Sequence, residues 1–164
     1  MNNKSRKDKK ILDACCGGRM FWFDKEQPDT LFVDNRGPET FTTGLGIHKR
    51  TRHIRPDKIM DFRHLELPDN HFYLVVFDPP HLSKLGDNSF TAKTYGKLGE
   101  NWQEDLTQGF KECFRVLKPN GILIFKWCEY EIPLSKILKL TPKKPLFGHR
   151  SGKQQKTHWL AFMK

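Results

Sequence analysis

The sequence lacks the features that would place it in a membrane or outside the cell. No apolar run approaches the length of a membrane span, and Met1–Lys10 is polar and basic, without the apolar stretch of a secretory signal. The four cysteines form no CxxC pair, and no histidine spacing indicates a zinc site. We therefore expect no metal and no membrane partner, reduced thiols, a cytoplasmic location, and a flexible basic arm over residues 1–10.

Acidic residues are also scarce relative to basic ones. The chain has 19 Asp and Glu against 29 Lys and Arg, which gives a formal net charge of +10. Such a surplus favours an anionic partner, with nucleic acid first and an acidic lipid surface second, although a basic protein without such a partner is the alternative. The 164 residues fit a single domain over 11–164, with little room for a separate recognition domain.

Neither a GxGxxG motif nor a GxxxxGK[ST] motif is present, which argues against dinucleotide and triphosphate sites. Short apolar segments instead alternate with helices or loops, and this alternation predicts a mostly parallel sheet with helices on both faces. The predicted strands are Ile11–Cys16, Leu31–Asp34, Lys58–Asp61, Phe72–Phe77 and Ile122–Trp127, followed by a closing hairpin of Leu146–His149 and Thr157–Met163.

The segments that connect these strands have less regular residue patterns. Apolar residues at helical spacing predict a helix over Trp102–Leu117, and Leu134–Leu140 predicts a short one. Arg19–Glu26 is either a short helix or an irregular turn. The region 37–58 reads as a loop with a strand near Phe41–Thr43, and 81–101 reads as a long polar loop.

Four acids lie at the carboxyl ends of successive predicted strands or in the first loop, namely Asp13, Asp34, Asp61 and Asp78. In open α/β sheets, ligands bind at the carboxyl ends of the strands, and an acid after the second strand can accept both hydroxyls of a ribose. The pair Gly17-Gly18 after the first strand would let the backbone approach a ligand closely. This series predicts a nucleoside-binding site.

The turn Asp78-Pro79-Pro80-His81 directly follows the fourth predicted strand. The prolines cannot continue a hydrogen-bonded ladder, so they hold the turn in a stiff extended form. A carboxylate and a carbonyl held in this way can accept both hydrogens of an NH₂ group. An ordinary strand-terminating turn is the alternative interpretation.

Several segments together resemble the class I S-adenosylmethionine-dependent methyltransferases. Ile11–Gly18 resembles the first motif of that family, with Gly17-Gly18 where a GxG pattern is usual. The later motifs are matched by Leu31–Asp34, Asp61-Phe62, Asp78–His81 and Phe114–Gly121. The resemblance implies a Rossmann-like sheet of seven strands with an antiparallel C-terminal strand, and S-adenosyl-L-methionine as cofactor.

The same resemblance implies roles for individual residues. The implied cofactor-binding set is Asp13, Cys15, Cys16, Gly17, Gly18, Asp34, Asn35, Asp61, Phe62 and Asp78. Asp34 would hold the ribose hydroxyls, Asp61 would meet the adenine amino group, and Phe62 would pack on the ring. The implied catalytic turn is Asp78, Pro79, Pro80 and His81, a motif associated with methylation of exocyclic or amide nitrogens. His81 stands where Tyr, Phe or Trp is usual, and could stack on a base or bond to it.

The candidate substrate-binding residues are Arg50, Arg52, Arg150 and Lys153 in two basic segments, with Tyr95 and Trp102 as stacking platforms for an unpaired base. A solvated charged face and hydrophobic anchors are the respective alternatives. The predicted function is methyl transfer to an exocyclic nitrogen of DNA or RNA, with a partner subunit available for target recognition. A protein or small-molecule methyltransferase, or a non-catalytic nucleic-acid-binding module, is the alternative.

Overall fold

The structure is a computed structural model that describes residues 8–44, 46–86 and 89–164. Its strands are β1 (Ile11–Asp13), β2 (Thr30–Asp34), β3 (Glu39–Thr43), β4 (Arg50–Ile54), β5 (Lys58–Ile59), β6 (Phe72–Phe77), β7 (Leu117–Cys128), β8 (Phe147–Ser151) and β9 (Thr157–Met163). Seven of them form one sheet in the order β5-β2-β1-β6-β7-β9-β8. The strands from β5 to β7 in this order pair in parallel, whereas β9 is antiparallel to both β7 and β8. The predicted Rossmann-like α/β fold is confirmed.

The described helices are α1 (Phe90–Tyr95), α2 (Trp102–Val116) and α3 (Leu134–Ile137), with a 3₁₀ turn at Gly46–His48. Helix α2 lies within one residue of its predicted bounds, because its apolar residues recur at helical spacing and are buried against the sheet. The backbone becomes extended at Leu117, directly after the end of α2, and β7 begins at the same residue. None of the described helices has the length and apolar character of a membrane-spanning segment.

The two faces of the sheet are covered in different ways. Phe77 of β6 packs edge-on against Phe110 of α2, with ring centroids 5.5 Å apart, so α2 covers this face. On the opposite face Trp22 packs edge-on against Phe32 of β2 at 5.1 Å. The segment 14–29 that carries Trp22 forms turns and no helix, which decides between the two predicted alternatives. An aromatic segment therefore covers the sheet here, where a helix was expected.

Two elements lie in regions that the sequence predicted mainly as loops, although it placed a strand near Phe41–Thr43, within β3. Strands β3 and β4 pair as an antiparallel hairpin within 37–58. Their residues are mostly Thr and Arg and only Ile54 is fully buried, so they give no apolar alternation. Helix α1 lies within 81–101 and buries no residue, so it gives no apolar stripe. Its start is fixed by a cap, in which Ser89 Oγ accepts a hydrogen bond from the Ala92 amide at 3.1 Å.

Several predicted boundaries were wrong by a few residues. Strand β1 ends at Asp13 and not Cys16, because the Ala14 amide still bonds to Val76 whereas the Cys16 amide bonds to Val33 on the other side. Strand β5 has only two residues, α3 ends at Ile137, and β8 runs over Phe147–Ser151. The predicted arm lies outside the described residues except for 8–10, where Lys10 hydrogen-bonds to the backbone of Asp29 and Tyr73.

Candidate cofactor cleft and active site

A cleft of about 220 Å³ opens at the carboxyl ends of β1, β2 and β6. Ligands bind at this edge of an open parallel sheet because the loops that leave adjacent strands diverge there. The cleft is lined by predicted site residues, namely Cys15, Cys16, Gly17, Gly18, Asp34, Asn35, Phe62, Asp78, Pro80 and Tyr95. It is also lined by residues that the sequence did not single out, including Met20, Phe21, Arg36, Thr94, Gly96 and Lys126.

Asp34 joins the first two strand ends across the cleft. Its carboxylate accepts a hydrogen bond from the Gly17 amide at 2.8 Å and three from Arg36, from its backbone amide at 3.1 Å, Nε at 2.8 Å and Nη2 at 3.1 Å. Gly17 has φ +46°, a left-handed conformation that side chains disfavour, and this conformation aims its amide at Asp34. Arg36 Nη1 also donates to the Lys93 carbonyl at 2.9 Å, so the same guanidinium reaches α1.

Asp78 lies at the end of β6, in the wall of the same cleft. Lys126 Nζ donates to its Oδ2 at 2.6 Å. Burial raises the pKa of Asp78 and the neighbouring Lys126 ammonium opposes that rise. Pro80 packs against Gly96 so closely that a Cβ on Gly96 would lie 2.8 Å from the Pro80 Cγ. The end of α1 thus closes against the Asp78-Pro79-Pro80 turn.

The other half of the predicted catalytic turn lies behind the cleft wall. Neither Pro79 nor His81 is among the residues that line the cleft. The His81 ring lies between Tyr95 and Trp127, with centroids 6.3 Å from each. Burial lowers the pKa of His81, which favours a neutral imidazole. Tyr95 is exposed and lies at the cleft mouth, where it is available to a substrate.

Asp13 lies beneath the cleft and is fully buried. Trp22 Nε1 donates to its Oδ2 at 2.7 Å and the Cys15 amide to its Oδ1 at 3.3 Å. Burial raises the pKa of Asp13 to about 7. Its contacts hold the aromatic segment and the first loop in place. Burial likewise raises the pKa of the Cys15 and Cys16 thiols, so both line the cleft as neutral thiols.

Asp61 points away from the cleft, whereas the next residue lines it. The Asp61 carboxylate forms a two-point ion pair with Arg63, from Nε at 2.9 Å and Nη2 at 2.6 Å. Arg63 also pairs with Asp105 of α2 at 3.0 Å. The Phe62 ring lines the cleft and packs on Phe77 at 5.3 Å. The structure therefore brings Asp34 and Asp78 together and places Asp13 and Asp61 elsewhere.

The candidate substrate residues are dispersed around this centre. Arg52 of β4 lines a second cleft of about 270 Å³, which shares Gly18, Met20 and Thr94 with the first. Arg50 is exposed on the same strand. Arg150 and Lys153 are exposed on the β8–β9 hairpin at the far edge of the sheet. Trp102 packs partly against the core at the start of α2.

The residues in the cleft fit an S-adenosylmethionine nucleoside. The left-handed Gly17 turn leaves the backbone open to a ligand, the buried Asp34 carboxylate faces the cleft, and the Phe62 ring offers an apolar face for a purine. Arg36 and Lys126 were missed in the sequence. Lys126 had a signal, since it is a lone charge within the apolar run Ile122–Trp127.

Comparison with known proteins points the same way. A family model described as a methyltransferase domain matches residues 48–125, just under half of the chain. The fold is similar to that of the PH0226 protein from Pyrococcus horikoshii (TM-score 0.58, 16% identity, 98% of this chain and 84% of that chain). It is also similar to HI0767 from Haemophilus influenzae, described as a methylase (TM-score 0.50, 12% identity, 97% of this chain and 88% of that chain). No curated protein matches the chain in sequence.

The family model and the cleft together define the class of protein. They support the class I methyltransferase family, and the protein is an S-adenosylmethionine-dependent methyltransferase. S-adenosylmethionine is accordingly its cofactor, and Gly17, Gly18, Asp34 and Phe62 are the residues that would hold it.

Proposed function

We propose that the protein transfers a methyl group to an exocyclic amino nitrogen of a nucleic-acid base. The observation that carries the proposal is that Asp78 and Pro80 line the same cleft as Gly17, Gly18 and Asp34. An amine held by Asp78 would lie next to a cofactor held by Gly17, Gly18 and Asp34. Such proximity and alignment account for a large part of the rate of a bimolecular transfer.

Asp78 offers an acceptor to an incoming amine. Lys126 engages Asp78 Oδ2, whereas Oδ1 receives no hydrogen bond from any residue in the described part of the chain. Oδ1 can therefore accept a hydrogen of an NH₂ group, whereas Pro79 is buried and does not line the cleft. An amine bound at Oδ1 would lie in the cleft, beside the residues proposed to hold the cofactor.

S-adenosylmethionine supplies an electrophilic methyl group bound to a positively charged sulfur. The nitrogen–carbon bond forms as the carbon–sulfur bond breaks, and the positive charge passes from sulfur to nitrogen. Asp78 lies where it can stabilise that charge and accept the proton that the nitrogen then loses. Orientation and electrostatics are the main contributions that these residues make.

The distribution of charge and aromatic residues supports nucleic acid as the substrate class. The net charge of +10 attracts a polyanion. Arg52 borders a cleft that joins the cofactor cleft, and the exposed Tyr95 ring at its mouth can stack on a base drawn out of a helix or single strand. The Arg150 and Lys153 hairpin would contact more distant phosphates.

The test is to incubate the purified protein with labelled cofactor and, separately, total RNA, DNA and protein, and then to identify modified nucleosides by mass spectrometry. We expect label in RNA or DNA, on an exocyclic nitrogen. Label confined to protein or to small molecules would refute the nucleic-acid substrate and leave the enzyme class intact.

Asp78→Ala is the matched variant for this assay. It should lower transfer by a factor on the order of 100 or more while cofactor affinity changes little, because Asp78 acts on the amine. Asp69→Ala, at an exposed acid outside the cleft, serves as the control and should retain activity. Full activity of Asp78→Ala would contradict the role of the turn.

A further inference from the structure

We propose that Lys126 is a positioning residue for methyl transfer, which holds Asp78 as a carboxylate with Oδ1 directed at the substrate amine. This inference rests on the proposed function, because it concerns the group that would receive that amine. It adds a residue on β7 to a site otherwise built from the ends of β1, β2 and β6.

The register of the sheet brings the two side chains together. Phe77 of β6 is paired with Phe125 of β7 in parallel strands, so the next residues, Asp78 and Lys126, emerge side by side on the same face. The Nζ to Oδ2 distance is 2.6 Å. Both side chains are mostly buried, with 23% of Lys126 and 20% of Asp78 exposed. This contact is a short charge-assisted hydrogen bond in the wall of the cleft.

Aromatic rings fix the lysine in this position. Its Nζ lies 5.7 Å from the centroid of Phe21 and 5.6 Å from that of Trp159, within the range of cation–π attraction. Phe21 and Trp159 in turn pack edge-on at 5.4 Å. The ammonium thus contacts one carboxylate and two aromatic rings. These contacts restrict the rotamers that the Lys126 side chain can adopt.

A lysine in this strand needs a reason beyond stability. Lys126 interrupts an apolar run, and a buried ion pair is often no more stabilising than apolar residues of the same volume. The pair does, however, determine the state of Asp78. By engaging Oδ2, the ammonium leaves Oδ1 of this cleft-lining carboxylate to accept a hydrogen bond from a substrate.

The charges around Asp78 indicate what removal of Lys126 would do. Asp78 is surrounded by Lys126 from β7, His81 from its own turn, and Asp13 and Cys15 from the first strand and loop. Burial raises the pKa of Asp78, and Lys126 is the main group that opposes the rise. Without the ammonium, the carboxyl would keep its proton to higher pH, and in that form it could neither stabilise positive charge on the amine nor take up the proton that the amine loses.

The experiment compares Lys126→Met and Lys126→Arg with the wild type in single-turnover methyl transfer between pH 6 and pH 9.5. We expect Lys126→Met to lower the rate at pH 7 by about 10-fold or more and to recover it as pH rises, which places its acidic limb at least one pH unit higher. Lys126→Arg should stay within a few-fold of the wild type. Cofactor affinity, measured by calorimetry, should change less than about 3-fold in both variants.

A double-mutant cycle separates this role from a purely structural one. In an Asp78→Asn background the acceptor cannot titrate, so Lys126→Met should there have a small effect that does not change with pH. A pH-independent loss of similar size in both backgrounds would overturn the proposal. So would a cofactor affinity weakened 10-fold or more at an unchanged transfer rate, because the lysine would then bind the cofactor.

A second readout needs no substrate and so stands apart from the proposed function. In protein labelled with carboxyl-¹³C aspartate, the Asp78 signal, assigned with Asp78→Asn, should titrate at higher pH in Lys126→Met than in the wild type. An unchanged midpoint would refute the role of Lys126 even if the protein methylates nucleic acid. A shifted midpoint in a protein that labels no nucleic acid would refute only the substrate class.

Discussion

The Asp34 carboxylate shares its two oxygens among Gly17 and Arg36 in the wall of the cofactor cleft. These residues donate four hydrogen bonds in all, which occupy the roughly four lone-pair sites of a carboxylate, so ribose hydroxyls would have to replace contacts with Arg36. Asp61 also follows a strand, but Arg63 turns its carboxylate outward. Two acids in equivalent sequence positions therefore have different surroundings.

We predict that Asp34→Ala weakens cofactor binding by about 10- to 100-fold, because hydrogen bonds to a charged acceptor contribute about 1.5–3 kcal/mol. Asp61→Ala is the matched control and should bind the cofactor as the wild type does. Calorimetric titration with S-adenosylmethionine measures both variants, with thermal unfolding to verify that each is folded. Equal affinities for wild type and Asp34→Ala would contradict the ribose role.

Asp13 makes a prediction about pH and stability. Its pKa is about 7 in the folded protein because it is fully buried, against 3.8 for an exposed carboxyl. The folded state therefore holds a proton between these values that the unfolded state has released. The contribution of Asp13 to stability is present below about pH 4 and is lost as pH rises through about 7.

Urea unfolding of the wild type and Asp13→Asn at pH 4 and pH 8 measures this contribution. The wild type should lose up to about 4 kcal/mol relative to Asp13→Asn over this range, at about 1.4 kcal/mol per pKa unit. Asp24→Asn replaces an exposed acid, and its free energy of unfolding should change with pH as that of the wild type does. If the free energy of unfolding of Asp13→Asn also changed with pH as that of the wild type does, the buried carboxyl would not titrate in this window.

At the scale of the elements, close backbone approaches shape the active site. Gly109 of α2 lets the helix lie against the rings of Phe62 and Phe77, since a Cβ there would come within 2.7 Å and 2.8 Å of them. Phe62 also lines the cleft, so its contact with Gly109 joins α2 to the cleft wall. The end of α1 meets the Asp78-Pro79-Pro80 turn through Gly96 in a similar way.

Gly96→Ala tests whether this contact positions the proposed catalytic turn. Gly96 has φ +78° and ψ −178°, a conformation that almost only glycine adopts, and its Cβ would clash with Pro80. We expect a stability loss of about 1–3 kcal/mol and a fall in methyl-transfer rate on the order of 10-fold, since small displacements of a reacting group are costly.

Gly99→Ala is the control for that variant. Its Cβ would lie 3.5 Å from the nearest atom, an Asp105 oxygen, which is ordinary contact. It should retain stability and activity. A Gly96→Ala protein that is destabilised but transfers methyl groups at the wild-type rate would show that α1 does not position the turn.

At the scale of the whole molecule, the net charge of +10 is the property that bears on substrate binding. Arg52 of the β3–β4 hairpin lies near the cofactor cleft, and Arg150 lies on β8, the edge strand of the seven-stranded sheet, so a polyanion in contact with both would have to span the two sites. The predicted partner subunit for target recognition stays a prediction.

Salt dependence measures these contacts. Affinity for single-stranded RNA or DNA should fall linearly in a log–log plot against salt, and Arg52→Gln or Arg150→Gln should each reduce the slope by about 0.7. Lys111→Gln, at an exposed position on α2, should leave the slope unchanged. Fluorescence anisotropy at several salt concentrations gives the slopes, and identical slopes for all variants would exclude phosphate contacts at the two arginines.

The sequence by itself determined the fold class and the succession of the main strands along the chain. The predicted bounds of the strands Phe72–Phe77 and Thr157–Met163 agree with those in the structure. They agree because burial on a sheet selects the same residue types that favour a strand locally. The sequence placed a strand near Phe41–Thr43, within β3, but its partner β4 and the capped helix α1 were missed because they bury few side chains and leave no periodic signal.

The sequence also supplied the acids at the strand ends, but only the tertiary structure decided their surroundings. Asp13 is buried against Trp22, Asp61 is turned outward by Arg63, and Asp34 and Asp78 reach the cleft. The partnership of Asp78 with Lys126 depends on the register of two strands almost fifty residues apart in sequence. Local pattern fixes which residues form a strand, whereas contacts between distant segments fix which groups share a site and hence their charge and chemistry.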